Sequence, residues 1–168
     1  MTQSRTTRKI GIFAAVLTML ALTVSMAAAA VTFHSGPDVT FSGDSATATF
    51  NVSGLGNEPA AAQLDVFGSV ETVCHNGGKN GQEAPGQNPA AAQGSSGIVP
   101  LKKSEKNGRS TVSITVELVP PAIPSAADAG CPNDNWTVTL GDLTITSATL
   151  TIYQPEGNAI YGPITFFP

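Results

Sequence analysis

Few residues in this 168-residue chain could do chemistry: two histidines, two cysteines, and scattered carboxylates and amides. A general base is most often an imidazole, because its ordinary titration range brackets neutral pH. His75 is the better placed of the two. His34 lies beside Ser35 and Gly36, where no rigid element is expected to hold it. A serine nucleophile would need such a base plus an orienting acid, and the G-x-S-x-G elbow is absent. Neither an H-E-x-x-H pair nor a glycine-rich phosphate cradle opening a helix occurs. Paired carboxylates for glycoside hydrolysis are defined by their separation in space, and no acidic pair stands out. The sequence therefore predicts a protein that is not an enzyme, with an exported hydrolase as the third alternative among its functions.

The cysteines, Cys74 and Cys131, are expected to form a disulfide, as an isolated pair in an exported chain normally does. The competing zinc site would use Cys74, His75, Cys131 and a fourth ligand. Neighbouring residues on a strand point to opposite faces, so Cys74 and His75 converge poorly on one ion. A calcium site built from Asn133, Asp134, Asn135, Glu83 and Asn88 matches no EF-hand spacing, and Asx-rich turns are normally just turns. No metal and no cofactor are expected. The bridge would close a loop of 57 residues, for which chain entropy gives roughly 4 kcal/mol.

Two polar connections flank the cysteines, 75–97 and 119–135. Connections longer than about 15 residues are usually functional or disordered, and a bridge would hold both at one end of the domain. The candidate binding residues are His75, Asn76, Lys79, Asn80, Glu83, Gln87, Asn88, Asp134 and Asn135. Their expected partner is an extracellular protein or a surface glycan. Trp136, the single tryptophan, reads as a core aromatic packed on the bridge rather than a sugar platform, and Tyr153 and Tyr161 as exposed.

These residues need strands to position them, and strands dominate the pattern. Residues 45–53 and 111–118 alternate apolar and polar positions, with threonine and β-branched residues in the majority. From Trp136 onward the apolar parity changes twice, near Gly141 and Asp142 and again near Thr146 and Ser147. Each change demands a bulge or turn, because one extra residue moves every later side chain to the other face. Weaker strands are expected at 39–42, 63–74 and 98–103, and a last one through Tyr161, Ile164 and Phe166. The 98–103 strand should form a hairpin with 111–118 through Asn107 and Gly108. The fold class expected is all-β, a two-sheet antiparallel β-sandwich of immunoglobulin-like architecture.

A signal peptide is expected ahead of it, over residues 1–30. Arg5, Arg8 and Lys9 precede an uncharged apolar run that ends in Ala27, Ala28, Ala29 and Ala30, the order that signal peptidase requires. The alternative is an uncleaved anchor, since the run is just long enough to cross a bilayer. Cleavage leaves a secreted, extracellular domain over 31–168 with no membrane attachment. Five basic residues then face twelve acidic ones, a net charge of −7. That balance excludes nucleic acid as a partner, because binding it rests on basic side chains displacing counterions. The basic cluster from Lys102 to Arg109 reads as a solvated turn. Asn51 and Asn135 head formal glycosylation sequons, which matter only in a host with that machinery. The leading function is a non-catalytic binding module that uses the disulfide-tethered loops. The alternative is a structural subunit joined by strand addition and able to form oligomers, with Val31 to Phe33 as a donor strand.

Overall fold

A computed structural model describes residues 31–55, 58–78, 81–102, 109–154 and 158–168. Residues 1–30, Lys79, Asn80 and the Asn107–Gly108 turn lie outside the described residues. Nine strands occur among the described residues: β1 (Thr32–Ser42), β2 (Ser45–Ser53), β3 (Ala61–Asn76), β4 (Glu83–Pro85), β5 (Ala90–Ser95), β6 (Val99–Pro100), β7 (Ser110–Glu117), β8 (Trp136–Tyr153) and β9 (Ala159–Phe166). No helix occurs among the described residues.

The strands form two antiparallel sheets. One is β1-β2-β7; the other runs β3-β8-β9, with β4, β5 and β6 in line along the free side of β3. The alternation that marks β2 places Ala46, Ala48, Phe50 and Val52 inward, all buried. They meet Ala62, Leu64 and Val66 of β3 and Ala148, Leu150 and Ile152 of β8 in one cluster. Fully buried Leu64, Leu150 and Ile152 each contribute roughly 2 kcal/mol by leaving water. The fold is all-β, with two sheets sharing a core as in a sandwich.

Both parity changes in β8 are bulges. Thr146 is the extra residue between the pairs Ser147–Phe67 and Ile145–Gly68. Gly141 and Asp142 together face Glu71, between Leu143–Val70 and Leu140–Thr72. The apolar residues of β8 thereby stay on the inner side through eighteen positions.

Several expectations are corrected. The 98–103 segment does not pair with 111–118: Val99 and Pro100 pair with β3, and β7 pairs with β2 in the other sheet. The 75–97 segment is not one loop, because β4 and β5 return along β3 as sheet edge. Gly94 makes this possible at β5, since a Cβ there would collide with the Glu117 carbonyl. The first strand is longer than 39–42, and His34 sits within it, with its Nε2 2.8 Å from Ser53 Oγ. Phe33 packs within its own domain, edge-on to Phe50 and 4.6 Å from the Tyr161 ring. Tyr161 is therefore packed against the core, not exposed. Trp136 is only half-buried and stands outside the main cluster.

The ribbon of β3 and β8 extends past the sheet of β1, β2 and β7. There 119–135 takes over as cover: Val70, Thr72 and Cys74 of β3 are buried, and so are Ala126 and Ala129 of the segment itself. Cys74 and Cys131 are joined as a disulfide, with Cα atoms 5.8 Å apart.

Candidate functional site

Seven of the nine predicted binding residues lie among the described residues, and they are spread over β3, β4, the corner after β4 and the turn before β8. His75 and Glu83 are register partners on β3 and β4, with His75 Nδ1 3.3 Å from Glu83 Oε1. Asn76 pairs with Trp136 and accepts a bond from the Gly78 N–H. Asp134 and Asn135 are exposed in the turn that enters β8, where Asn133 Oδ1 accepts the Asn135 N–H. Gln87 is exposed on the corner after β4. Asn88 is spent internally: its Nδ2 donates to Asp128 O, its N–H to Ala129 O, and its carbonyl accepts from Thr72 Oγ1. It clamps the 119–135 segment onto β3. Lys79 and Asn80 lie outside the described residues.

His75 completes a chain of three groups. Its Nε2 lies 2.7 Å from Thr139 Oγ1 on β8, so a carboxylate, an imidazole and a hydroxyl stand in a row across β4, β3 and β8. The order resembles a proton relay. Acyl transfer would also require a hydroxyl beside an oxyanion donor and a cavity for substrate. The Glu83 side chain is 67% exposed, so water screens the carboxylate that would orient the ring. Among the described residues, no three His, Cys, Asp or Glu side chains gather to hold a metal ion.

The concave surface lies elsewhere, about eight residues back along β3. A hollow of about 590 Å³ has Phe67 and Ala91 on the outer face of the sheet, Thr146 on one side, and Val119, Pro120 and Pro121 as a wall. Phe67 is 42% exposed and Val119 62%. Val119 is placed by a bridge to Gln93, its N–H donating to the Gln93 carbonyl at 3.1 Å. A second depression, lined by Asp65, Gln93 and Ser95, adjoins the first and shares Phe67 and Val119 with it. The hollow thus has an aromatic floor, an aliphatic and proline wall, and the Gln93 amide and Thr146 hydroxyl at its rim, while the Asp65 carboxylate lines the neighbouring depression.

No family model matches the chain, and neither does any curated protein or solved structure.

Physical features alone must then rank the surfaces. A smaller hollow of about 320 Å³ lies on the opposite sheet among Ser35, Asp38, Asn51 and Thr111, but its aromatic, Phe50, is buried. Exposed aromatic area in a concavity is the stronger mark of a binding site. Sequence reasoning missed Phe67 and Thr139, and named the 119–135 segment without singling out Val119, Pro120 and Pro121. The signal for Phe67 was present: Leu64, Val66, Val70, Thr72 and Cys74 share one parity, and Phe67 has the other. A phenylalanine at a position of wet-face parity breaks the alternation and marks the residue for attention.

Proposed function

We propose that this chain is a secreted, non-catalytic binding module: the signal peptide over 1–30 is removed, and an immunoglobulin-like domain over 31–168 engages an extracellular partner. Its contact surface is the hollow at Phe67, walled by the disulfide-tethered segment 119–135. The observation that carries the reading is that exposed aromatic in a concavity whose wall is held in place. A preformed wall lowers the ordering cost of binding. A disulfide suits an oxidising compartment, which agrees with export.

The alternative, a subunit joined by strand addition, has one supporting feature. β7 pairs with β2 over eight positions without interruption and forms an edge of its sheet. The other long edges are broken: β1 shifts register around Gly36–Pro37, β9 around Gly162–Pro163, and the free part of β8 at its bulges. Bulges and proline at edges oppose strand addition.

The test is affinity capture from culture medium and cell surface with secreted protein, comparing wild type with Phe67→Ser. Loss of the captured species in folded Phe67→Ser supports the reading, and an unchanged capture profile rejects it. Concentration-dependent oligomers on size-exclusion chromatography, abolished by a proline in β7, would favour the subunit instead.

A further inference from the structure

The face around the hollow says what kind of partner fits. Along β3 the outward positions are Gln63, Asp65, Phe67, Ser69, Glu71, Val73 and His75. Asp65 and Glu71 therefore bracket Phe67 on the same face. Neighbouring strands add Glu83 from β4 and Asp142 from the β8 bulge. Gly141 sits under the Glu71 side chain, where an added Cβ would be 3.2 Å from Glu71 Cβ. Among the described residues the Lys and Arg are Lys102 and Arg109, and neither lies in a strand. The uncharged polar groups of the face include the hydroxyls and amides of Ser69, Gln93, Ser95, Thr144, Thr146 and Thr149. Asp65 and Glu71 thus put negative charge on either side of Phe67, with no Lys or Arg among the described residues of the face to offset it.

The spacing adds a second constraint. Asp65 and Glu71 are six residues apart on an extended strand, or about 20 Å at the usual rise. A monosaccharide or a single amino acid does not span that distance, whereas an extended chain of seven residues does. Phe67 is two positions from Asp65, so the apolar contact falls nearer one end of such a chain.

We infer that the Phe67 hollow takes an extended basic segment of a partner protein, with an apolar side chain seated against Phe67 and the Pro120–Pro121 wall and flanking lysine or arginine side chains reaching Asp65 and Glu71. This rests on the binding-module reading and narrows it to a partner chemistry. Carboxylate–cation contacts at a rim steer encounter and set specificity, while the desolvated apolar contact carries most of the affinity.

The test uses the secreted protein and a labelled peptide, Lys-Ser-Leu-Pro-Ser-Ser-Lys, against the same peptide with glutamate in place of both lysines, read by fluorescence anisotropy. The lysine peptide should bind at least about tenfold more tightly than the glutamate peptide, and the preference should shrink as salt is raised, because rim charges are screened. Phe67→Ala should remove binding of both peptides. Asp65→Asn combined with Glu71→Gln should erase the preference while leaving the fold intact by circular dichroism. Equal affinity for the two peptides, a preference that survives the double variant, or no binding of the lysine peptide at about 1 mM overturns the inference. Phe67-dependent binding of a neutral hexasaccharide, with the peptides inert, would also overturn it while leaving the binding-module reading standing. An unchanged capture profile with Phe67→Ser would remove both.

Discussion

His75 ties three strands together through its side chain, and the exposure of Glu83 sets what that is worth. An ion pair open to solvent contributes between nothing and about 1 kcal/mol, and the bond to Thr139 is of the same order. His75→Ala should therefore lower the unfolding free energy by about 1 kcal/mol or less, measured by urea denaturation, and leave peptide binding at Phe67 unaltered. If instead the variant lost the binding or a hydrolytic activity, the Glu83–His75–Thr139 row would be the functional centre. Residue type alone did not separate these outcomes. His75 was conspicuous beside Cys74 and Asn88 as an amide in the long connection that follows, yet Asn88 has a structural job, which only the approach of Asp128 and Ala129 reveals. Phe67 was the reverse case, readable from strand parity and missed among more reactive side chains.

Elements with strong alternation were legible, and those fixed by distant partners were not. β2 and β7 could be read because one face of each is buried, and both β8 bulges because parity must be conserved on the inner side. The Asn107–Gly108 signal is local, while the partner of β7 is chosen by burial against β2, so the expected hairpin failed. β4 and β5 escaped notice because their inward residues are Ala84, Ala90, Ala92 and Gly94, too small to mark a face. These small residues let β5 approach Val116 and Glu117 closely. The 119–135 segment has no strand of its own and depends on its staple. Replacing both Cys74 and Cys131 by alanine should cost roughly 4 kcal/mol, a large share of the ~5 to 15 kcal/mol typical of a domain. The measurement is the urea midpoint. In the same variant the lysine peptide should bind more weakly, since Pro120 and Pro121 lose their anchor. A change below about 1 kcal/mol would mean that the Asn88 clamp alone holds the segment.

At the scale of the whole molecule, the two sheets are sewn together by the chain's own path: β7 belongs to one, and two residues later Val119 joins the edge of the other. The interrupted edges argue for a discrete particle, and size-exclusion chromatography should return a monomer across about a hundredfold range of concentration, whereas growth in size would implicate the β7 edge. The disulfide has a further consequence, in how the protein survives being cut. No Lys or Arg follows Arg109, and both Lys102 and Arg109 are exposed. A trypsin-like protease cleaving there separates β1 through β6 from β7 through β9, yet Cys74 lies on one side of the cut and Cys131 on the other. The halves also remain paired along β3–β8 and β2–β7. A nicked molecule should therefore elute as a single species and run as one band without reductant, then divide at this cut once dithiothreitol is added. Nicking of this kind would turn one chain into a covalent heterodimer that still carries Phe67 on one fragment and Pro120 and Pro121 on the other, with the hollow assembled between them.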